Sequence, residues 1–290
     1  MVRVRQLQYI VLGAKDLDAW EHFATKGVGL VTRERTSDRL YLRSDRSFAR
    51  VIVATSEDED VHALGWGVTS EAEFEAFKPQ LKKAGFAFEE ITGEVAKAHK
   101  ALKILRFKDP DNIVHEIAWG VAVDDRTPFI SPIAVKGFRS GDLGLGHSVL
   151  SIKDLAVSTQ FFRDVLGLKV TAHLFVHGFE AVFLRCNERH HTIAISVSHR
   201  PKKLQHLQLE YNDFDDLGRA LDRAEDLPME LVATLGKHVS DYVTSFYVRA
   251  PSNITVELGF GARLMDEEAP TEYEDFTGSV WGHRKGMENA

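Results

Sequence analysis

Apolar positions along this chain switch between a two-residue and a three-to-four-residue period, and the order of switching repeats in both halves. Leu7-Gln8-Tyr9-Ile10-Val11-Leu12 reads as a strand, followed by Lys15-Asp16-Leu17 and a helical stretch ending at Gly27-Val28-Gly29. From residue 145 the order returns: Leu145-Gly146-His147-Ser148-Val149-Leu150, then Lys153-Asp154-Leu155 and a helical stretch ending at Leu166-Gly167-Leu168. An aspartate can accept the free amides of a first helical turn and glycine can close a last one, so each copy predicts a strand, an Asp-capped helix and a glycine stop. In the second helix Leu155, Phe161, Phe162 and Val165 fall mainly at three- and four-residue steps, which places them on one face.

A second pair of segments keeps the same order. Residues 106–120 and 247–261 each predict a strand, a turn begun by Pro110 or Pro251, and another strand. Between the outer segments each copy has a strand and then a helix, at 65–69 and 71–84 in the first and at 206–211 and 213–225 in the second. The offset between copies runs from 138 (Tyr9 to His147) to 141 (Glu116 to Glu257). A repeat of this kind predicts an α+β fold in two domains, residues 1–132 and 133–290, joined by a link over 124–141 that contains Pro128 and Pro132. Each half runs twice through a β-α unit with further strands, giving curved mixed sheets with outer helices and concave faces that can hold a ligand.

Composition narrows the partners. With 290 residues, 44% hydrophobic, 27% charged and a formal charge of -7, the chain reads as an ordinary globular protein without the basic face that nucleic acid needs. No apolar run approaches the roughly 18 residues of a membrane span. The N-terminal apolar run is too short for a signal peptide, so a cytoplasmic protein is expected and the Asn253-Ile254-Thr255 glycosylation pattern stands idle. The single cysteine, Cys186, excludes an intramolecular disulfide and a Cys-rich zinc site, and it reads as a half-buried strand thiol. Gly141-Asp142-Leu143-Gly144-Leu145-Gly146 resembles a phosphate loop only superficially, because a strand follows it and offers no helix N-terminus.

Superposing the copies sets His147 against Tyr9, His206 against Gly65 and Glu257 against Glu116. Three donor side chains thus occupy matched strand positions in the second half, and only the glutamate persists in the first. Val149, Val256 and Leu258 flank them at strand period, and a carboxylate buried among such residues costs several kcal/mol unless a cation or donors compensate it. Two imidazoles and one carboxylate leave a face of an octahedral ion open, the arrangement typical of non-haem Fe(II) oxygenases. Ligand type alone also admits Mn(II) or a zinc hydrolase.

Other polar residues gather in the same half. Over 189–195 a strand is expected in which His191 shares an inward face with Ile193 and Ile195 while His190 points outward. Gly236-Lys237-His238 closes a turn before a strand carrying Tyr247, so His238 and Tyr247 are candidates for proton transfer and hydrogen bonding beside a metal. Val149, Leu174, Phe175, Phe179 and Phe183 suit a hydrophobic ligand, and His173 and His177 are expected in a solvent-facing loop. His62, His99, His115 and His199 need only surface or core roles.

Assembled, the second half resembles the type I extradiol catechol dioxygenases of the vicinal oxygen chelate superfamily, in particular the two-domain branch acting on 2,3-dihydroxybiphenyl-like substrates. The resemblance rests on Gly144-Leu145-Gly146-His147, on 187–192, on His206-Leu207-Gln208-Leu209-Glu210, and on the spacing from His238 through Phe246-Tyr247 and Pro251 to Glu257. Trp281-Gly282-His283 also looks familial, and the resemblance extends more weakly over the first half.

It implies paired βαβββ modules in each domain, a degenerate first pair without metal, and a catalytic second pair. It implies Fe(II), with Mn(II) as a substitute, held by His147, His206 and Glu257. His191 would be the acid–base residue, and His238 and Tyr247 the partners of the substrate oxygens. Val149 and Asp241 would complete the substrate contacts. Ser240 stands where the family has Asn, and Asn253 where Gly or Pro is usual, so fine substrate placement is where this chain departs.

The reaction implied is extradiol insertion of O2 beside the diol of a hydrophobic or bicyclic catechol. The partners would be that catechol and O2, and the family implies a homo-oligomer. The rival readings are a metal-dependent isomerase or lyase of the same superfamily and a non-catalytic aromatic-ligand binding protein.

Overall fold

A computed structural model of the chain describes residues 1–176, 178–227, 229–266, 269 and 272–284. The first half contains β1 (Gln6–Ala14), α1 (Leu17–His22), β2 (Val31–Arg35), β3 (Arg39–Arg43), β4 (Val51–Thr55) and β5 (Val61–Gly67). It continues through α2 (Glu71–Lys83), β6 (Phe88–Ile91), α3 (Gly93–Ala98), β7 (Lys103–Lys108) and β8 (Val114–Trp119). The second half contains β9 (Ser148–Ile152), α4 (Leu155–Asp164), β10 (Lys169–Val176), β11 (Phe179–Arg185), β12 (Ile193–Val197) and β13 (Leu204–Tyr211). It ends with α5 (Phe214–Asp226), β14 (Leu231–His238), β15 (Thr244–Ala250), β16 (Ile254–Phe260), β17 (Tyr273–Asp275) and β18 (Ser279–Trp281).

The helices begin where their caps allow. Asp16 accepts the Ala19 amide at 2.9 Å and Asp154 the Val157 amide at 2.9 Å, which satisfies first-turn donors of α1 and α4. Phe161 and Phe162 of α4 are buried, and Val165 beyond it closes the same apolar face. The strands form two mixed sheets, in the order β2-β3-β4-β1-β5-β8-β7-β6 and β17-β10-β11-β12-β9-β13-β16-β15-β14-β18. In each, a central antiparallel pair (β1–β5 or β9–β13) is flanked by parallel partners, so the second sheet repeats the first with two short strands added at its edges. This is the α+β architecture expected of paired βαβββ modules.

One apolar core runs along the helix-covered faces of both sheets, from Leu7, Trp66 and Phe77 to Phe162, Leu184 and Phe246. The opposite, concave faces differ. That of the first sheet is filled by a second cluster including Tyr9, Tyr41, Ile52, Ala63 and Ile104, with Ala96 of α3 across it. Among the described residues, that of the second carries a smaller apolar cluster of Val149, Ala172, Phe183 and Ala194 with flanking Leu174 and Tyr273.

Several local expectations are corrected. Residues 171–176 belong to β10, paired with β11 in a hairpin, so His173 lies on a strand and stacks on Phe175; His177 lies outside the described residues. Cys186 is fully rather than half buried, and burial pushes its thiol up to about 11. No described helix is long and apolar enough to cross a membrane.

Candidate metal centre and substrate cavity

Three adjacent strands bring the triad together. His147 stands immediately before β9 and after Gly146, whose backbone lies so near β13 that a Cβ there would stand 2.2 Å from the Gln208 carbonyl oxygen. Only glycine tolerates that approach at its φ of +144°. The Gln208 amide donates to the His147 carbonyl at 2.8 Å, and Gln208 pairs with Glu257 across β13 and β16. His206, two residues before Gln208, projects to the same side of β13. His147 Nε2 lies 3.1 Å from Glu257 Oε2, His206 Nε2 lies 3.4 Å from that oxygen, and the two nitrogens are 3.2 Å apart.

Burial lowers the His147 imidazole to about 4 despite the neighbouring carboxylate, so its neutral form prevails at neutral pH. Burial alone would raise Glu257, but the hydrogen bonds from His147 and His206 hold it well below the usual carboxylate range. Its Oε1 is buried without a hydrogen-bond partner, and His238 Nε2 approaches it only to 3.7 Å. Leaving such an atom unsatisfied costs about 1–3 kcal/mol or more. A divalent cation would engage that carboxylate and both imidazoles, so the residues present fit a metal. A second donor group, His147, His191 and Asp241, shares His147. It suits a cation less well, because His190 already engages His191 Nδ1 at 2.9 Å.

A cavity of about 180 Å³ opens beside the triad, bounded by Val149, Leu174, Phe179 and Phe183 on one side and by His191, His238, Asp241 and Tyr247 on the other. Phe175 turns away from it and stacks on Phe276. The proton positions around the cavity follow from their partners. His238 Nδ1 donates to the Gly278 carbonyl at 3.2 Å, so in the neutral ring Nε2 accepts the Tyr247 hydroxyl at 2.8 Å. The Tyr247 oxygen keeps lone pairs for a ligand hydroxyl. Burial holds that phenol well above its ordinary range, so it remains protonated.

His191 is set by a longer chain. The Tyr273 hydroxyl donates to the Ser240 carbonyl at 2.9 Å and accepts from Arg263, so it accepts from His190 Nε2 as well. Burial lowers His190 to about 3, leaving it neutral with a bare Nδ1 that accepts from His191 Nδ1 at 2.9 Å. His191 Nε2 is then left without a proton.

His190 therefore lies buried beneath His191 rather than facing outward. His191 also does not share a face with Ile193 and Ile195. β12 begins only at Ile193, and Ile193 and Ile195 face the helix-side core, whereas His191 shares the cavity with Ala194. Sequence reasoning missed His190, Arg263 and Tyr273 as a group. Two consecutive histidines were visible, but Tyr273 reaches them only through the parallel pairing of β17 with β10.

Strand register corrects the superposition of the halves. Tyr9 pairs with Gly65, and Gly65 with Glu116, just as His147 meets Gln208 and Gln208 meets Glu257. Gly65 therefore corresponds to Gln208, and Ala63, partner of Val11, corresponds to His206, partner of Val149. Arg106 pairs with Glu116 where Tyr247 pairs with Glu257. A Cβ on Gly65 would stand 2.3 Å from the Tyr9 ring, so the missing side chain makes room for the tyrosine.

Comparison with known proteins agrees with this geometry. Residues 144–258 match the Glyoxalase/Bleomycin resistance protein/Dioxygenase superfamily, and residues 7–55 match the first domain of dihydroxybiphenyl dioxygenase, BphC D1. The chain is 34% identical to a biphenyl-2,3-diol 1,2-dioxygenase of Pseudomonas sp. (strain KKS102), covering 97% of each protein. It is also 34% identical to an iron-dependent extradiol dioxygenase of Rhodococcus jostii (strain RHA1), again covering 97% of each. Among solved structures it superposes on BphC, a halotolerant catechol dioxygenase, with a TM-score of 0.92 at 30% identity, covering 98% of this chain and 95% of the other.

Proposed function

This chain belongs to the extradiol dioxygenases of the vicinal oxygen chelate superfamily, and from that premise we propose that it opens a hydrophobic or bicyclic catechol, such as 2,3-dihydroxybiphenyl, with O2. Fe(II) would be held by His147, His206 and Glu257, with Mn(II) fitting the same donors. The reaction belongs to residues 133–290, and residues 1–132 form a module without metal. The cytoplasm is the expected compartment. The observation that carries the reading is a buried carboxylate with one unsatisfied oxygen, flanked by two imidazoles and opening on a cavity with its own acid–base groups.

The chemistry that Fe(II) would supply is Lewis acidity toward both catechol oxygens and an electron path from the ring to dioxygen. The protein groups do the rest. The lone pair on His191 Nε2 receives a proton from the bound diol side of the cavity and returns it later in the cycle. The Tyr247 oxygen, oriented by His238, accepts a hydrogen bond from a ring hydroxyl and fixes which oxygen lies beside it. Val149 and Phe183 cover the ring and exclude water, and Asp241 lines the same cavity beside His191.

An oxygen electrode with a small catechol panel tests this, using protein reconstituted anaerobically with Fe(II) and then with Mn(II). Uptake of one O2 per catechol with a yellow ring-opened product is expected, and His206→Ala should abolish it. Full turnover after metal stripping, or unchanged turnover in His206→Ala, would overturn the reading. Conversion without oxygen uptake would mark an isomerase or lyase, and binding without conversion a sequestering protein.

A further inference from the structure

The register of β13 against β9 slips between Leu204 and His206, which makes Gln205 the extra residue of a bulge. Bulges re-aim side chains, and here both Gln205 and the adjacent His206 line the cavity. The Gln205 amide nitrogen donates to Ser196 Oγ at 2.6 Å and reaches the Leu150 carbonyl at 3.4 Å. Turning the amide over would set its oxygen against that carbonyl, acceptor to acceptor, so the nitrogen belongs on this side. Among the described residues no donor then meets the amide oxygen of this cavity-lining side chain.

Its place in the cavity is set by its partners. Ser196 lies two residues beyond Ala194 on β12, so about 7 Å farther along the strand from the end that carries His191. Leu150 likewise lies beyond Val149 on β9, away from His147. Around it the wall is apolar, with Val149, Ala194 and Phe179. An isolated acceptor on an otherwise apolar wall gives selectivity for a donor, because a ligand lacking one leaves the carbonyl desolvated and unpaired.

We propose that Gln205 is a specificity-determining residue that accepts a hydrogen bond from a hydroxyl on the part of the substrate remote from the cleaved diol, so the preferred substrate is a catechol whose second ring bears a hydroxyl. The inference rests on the dioxygenase reading for its substrate class. Ser196 is its positioning residue, holding the amide in one orientation.

The test compares 2,3-dihydroxybiphenyl with 2,2',3-trihydroxybiphenyl by anaerobic calorimetric binding to the Fe(II)-loaded protein and, separately, by kcat/KM. The wild-type protein should favour the trihydroxy compound by about tenfold in both readouts. Gln205→Leu should bring the ratio to about one, and Ser196→Ala should fall between, while Gln205→Glu, which keeps an acceptor, should retain a preference. Equal binding of the two diols by the wild-type protein, or a ratio unchanged in Gln205→Leu, would overturn the proposal. The outcomes separate from those of the reaction: a Gln205-dependent binding preference without ring opening would keep this subsite and sink the dioxygenase reading, and ring opening with equal affinities would do the reverse.

Discussion

In the first half Glu116 is surrounded: Tyr9 donates to it at 2.6 Å, His99 lies 2.7 Å away and Arg106 grips its other oxygen with two nitrogens at 2.6 and 2.8 Å. In the second half Glu257 meets two imidazoles at 3.1 and 3.4 Å and keeps one oxygen without a partner. The strands beneath the two carboxylates are the same. One carboxylate has been converted into a structural ion pair by an arginine and a tyrosine, and the other is left short of positive charge. A buried acid is a weak sign of function by itself; what distinguishes the two is whether its oxygens are satisfied by the protein.

The sharpest way to break this comparison is to delete each carboxylate in turn. Glu257→Ala should reduce ring cleavage more than about 100-fold and strip the metal, while the urea midpoint of the metal-free protein stays level or rises. Glu116→Ala should do the opposite, costing about 3–5 kcal/mol of stability by stranding Arg106 and His99, with iron bound per folded molecule unchanged. Equal losses of activity and stability in the two variants would erase the distinction. A smaller effect probes the tyrosine: Gly65→Ala forces a methyl into the Tyr9 ring and should cost about 1–3 kcal/mol in urea unfolding without changing the catechol KM.

The smallest effect is in pH. Burial would raise Glu116, but His99 and Arg106 hold its carboxyl below the ordinary glutamate value. A group lowered in the folded state stabilises above its unfolded pKa and loses that contribution as pH falls through the folded value. The advantage of wild-type over Glu116→Gln in urea midpoint should therefore be full near pH 6 and shrink steadily below about pH 4.5. An advantage that grew on acidification would contradict the ion pair.

Much of this contrast was legible in the residues. The Asp caps at 16 and 154, the glycine stops and the proline turns are local signals, and each half repeats them, so the doubled fold could be read without coordinates. The triad was legible because its three residues stand at matched places in a repeat. The second ligand falls two places from its true partner, because the offset between copies is 143 at this strand pair (Ala63 to His206) and 141 at Glu116 to Glu257, and a change in loop length between strands leaves no mark in their periodicity. Faces were the weak point near residue 191: isoleucines at 193 and 195 mark a buried face, but a sheet covered on both sides has two of them. The roles of His190 and Tyr273 were illegible because a three-residue strand carries too little periodicity to announce its partner.

Residues 273–283 divide the labour of the site. Tyr273 anchors the imidazole pair at 190–191, Gly278 orients His238, and His283 lies against the His238 ring with centroids 4.3 Å apart. The ligands at 147, 206 and 257 lie on or beside strands that pair with one another without residues 273–283, whereas the rings beside them take their proton positions from that stretch. Holding a cation and placing the protons around it are thus tasks of different stretches of the sequence, and a change at Tyr273 or Gly278 would touch the second and spare the first.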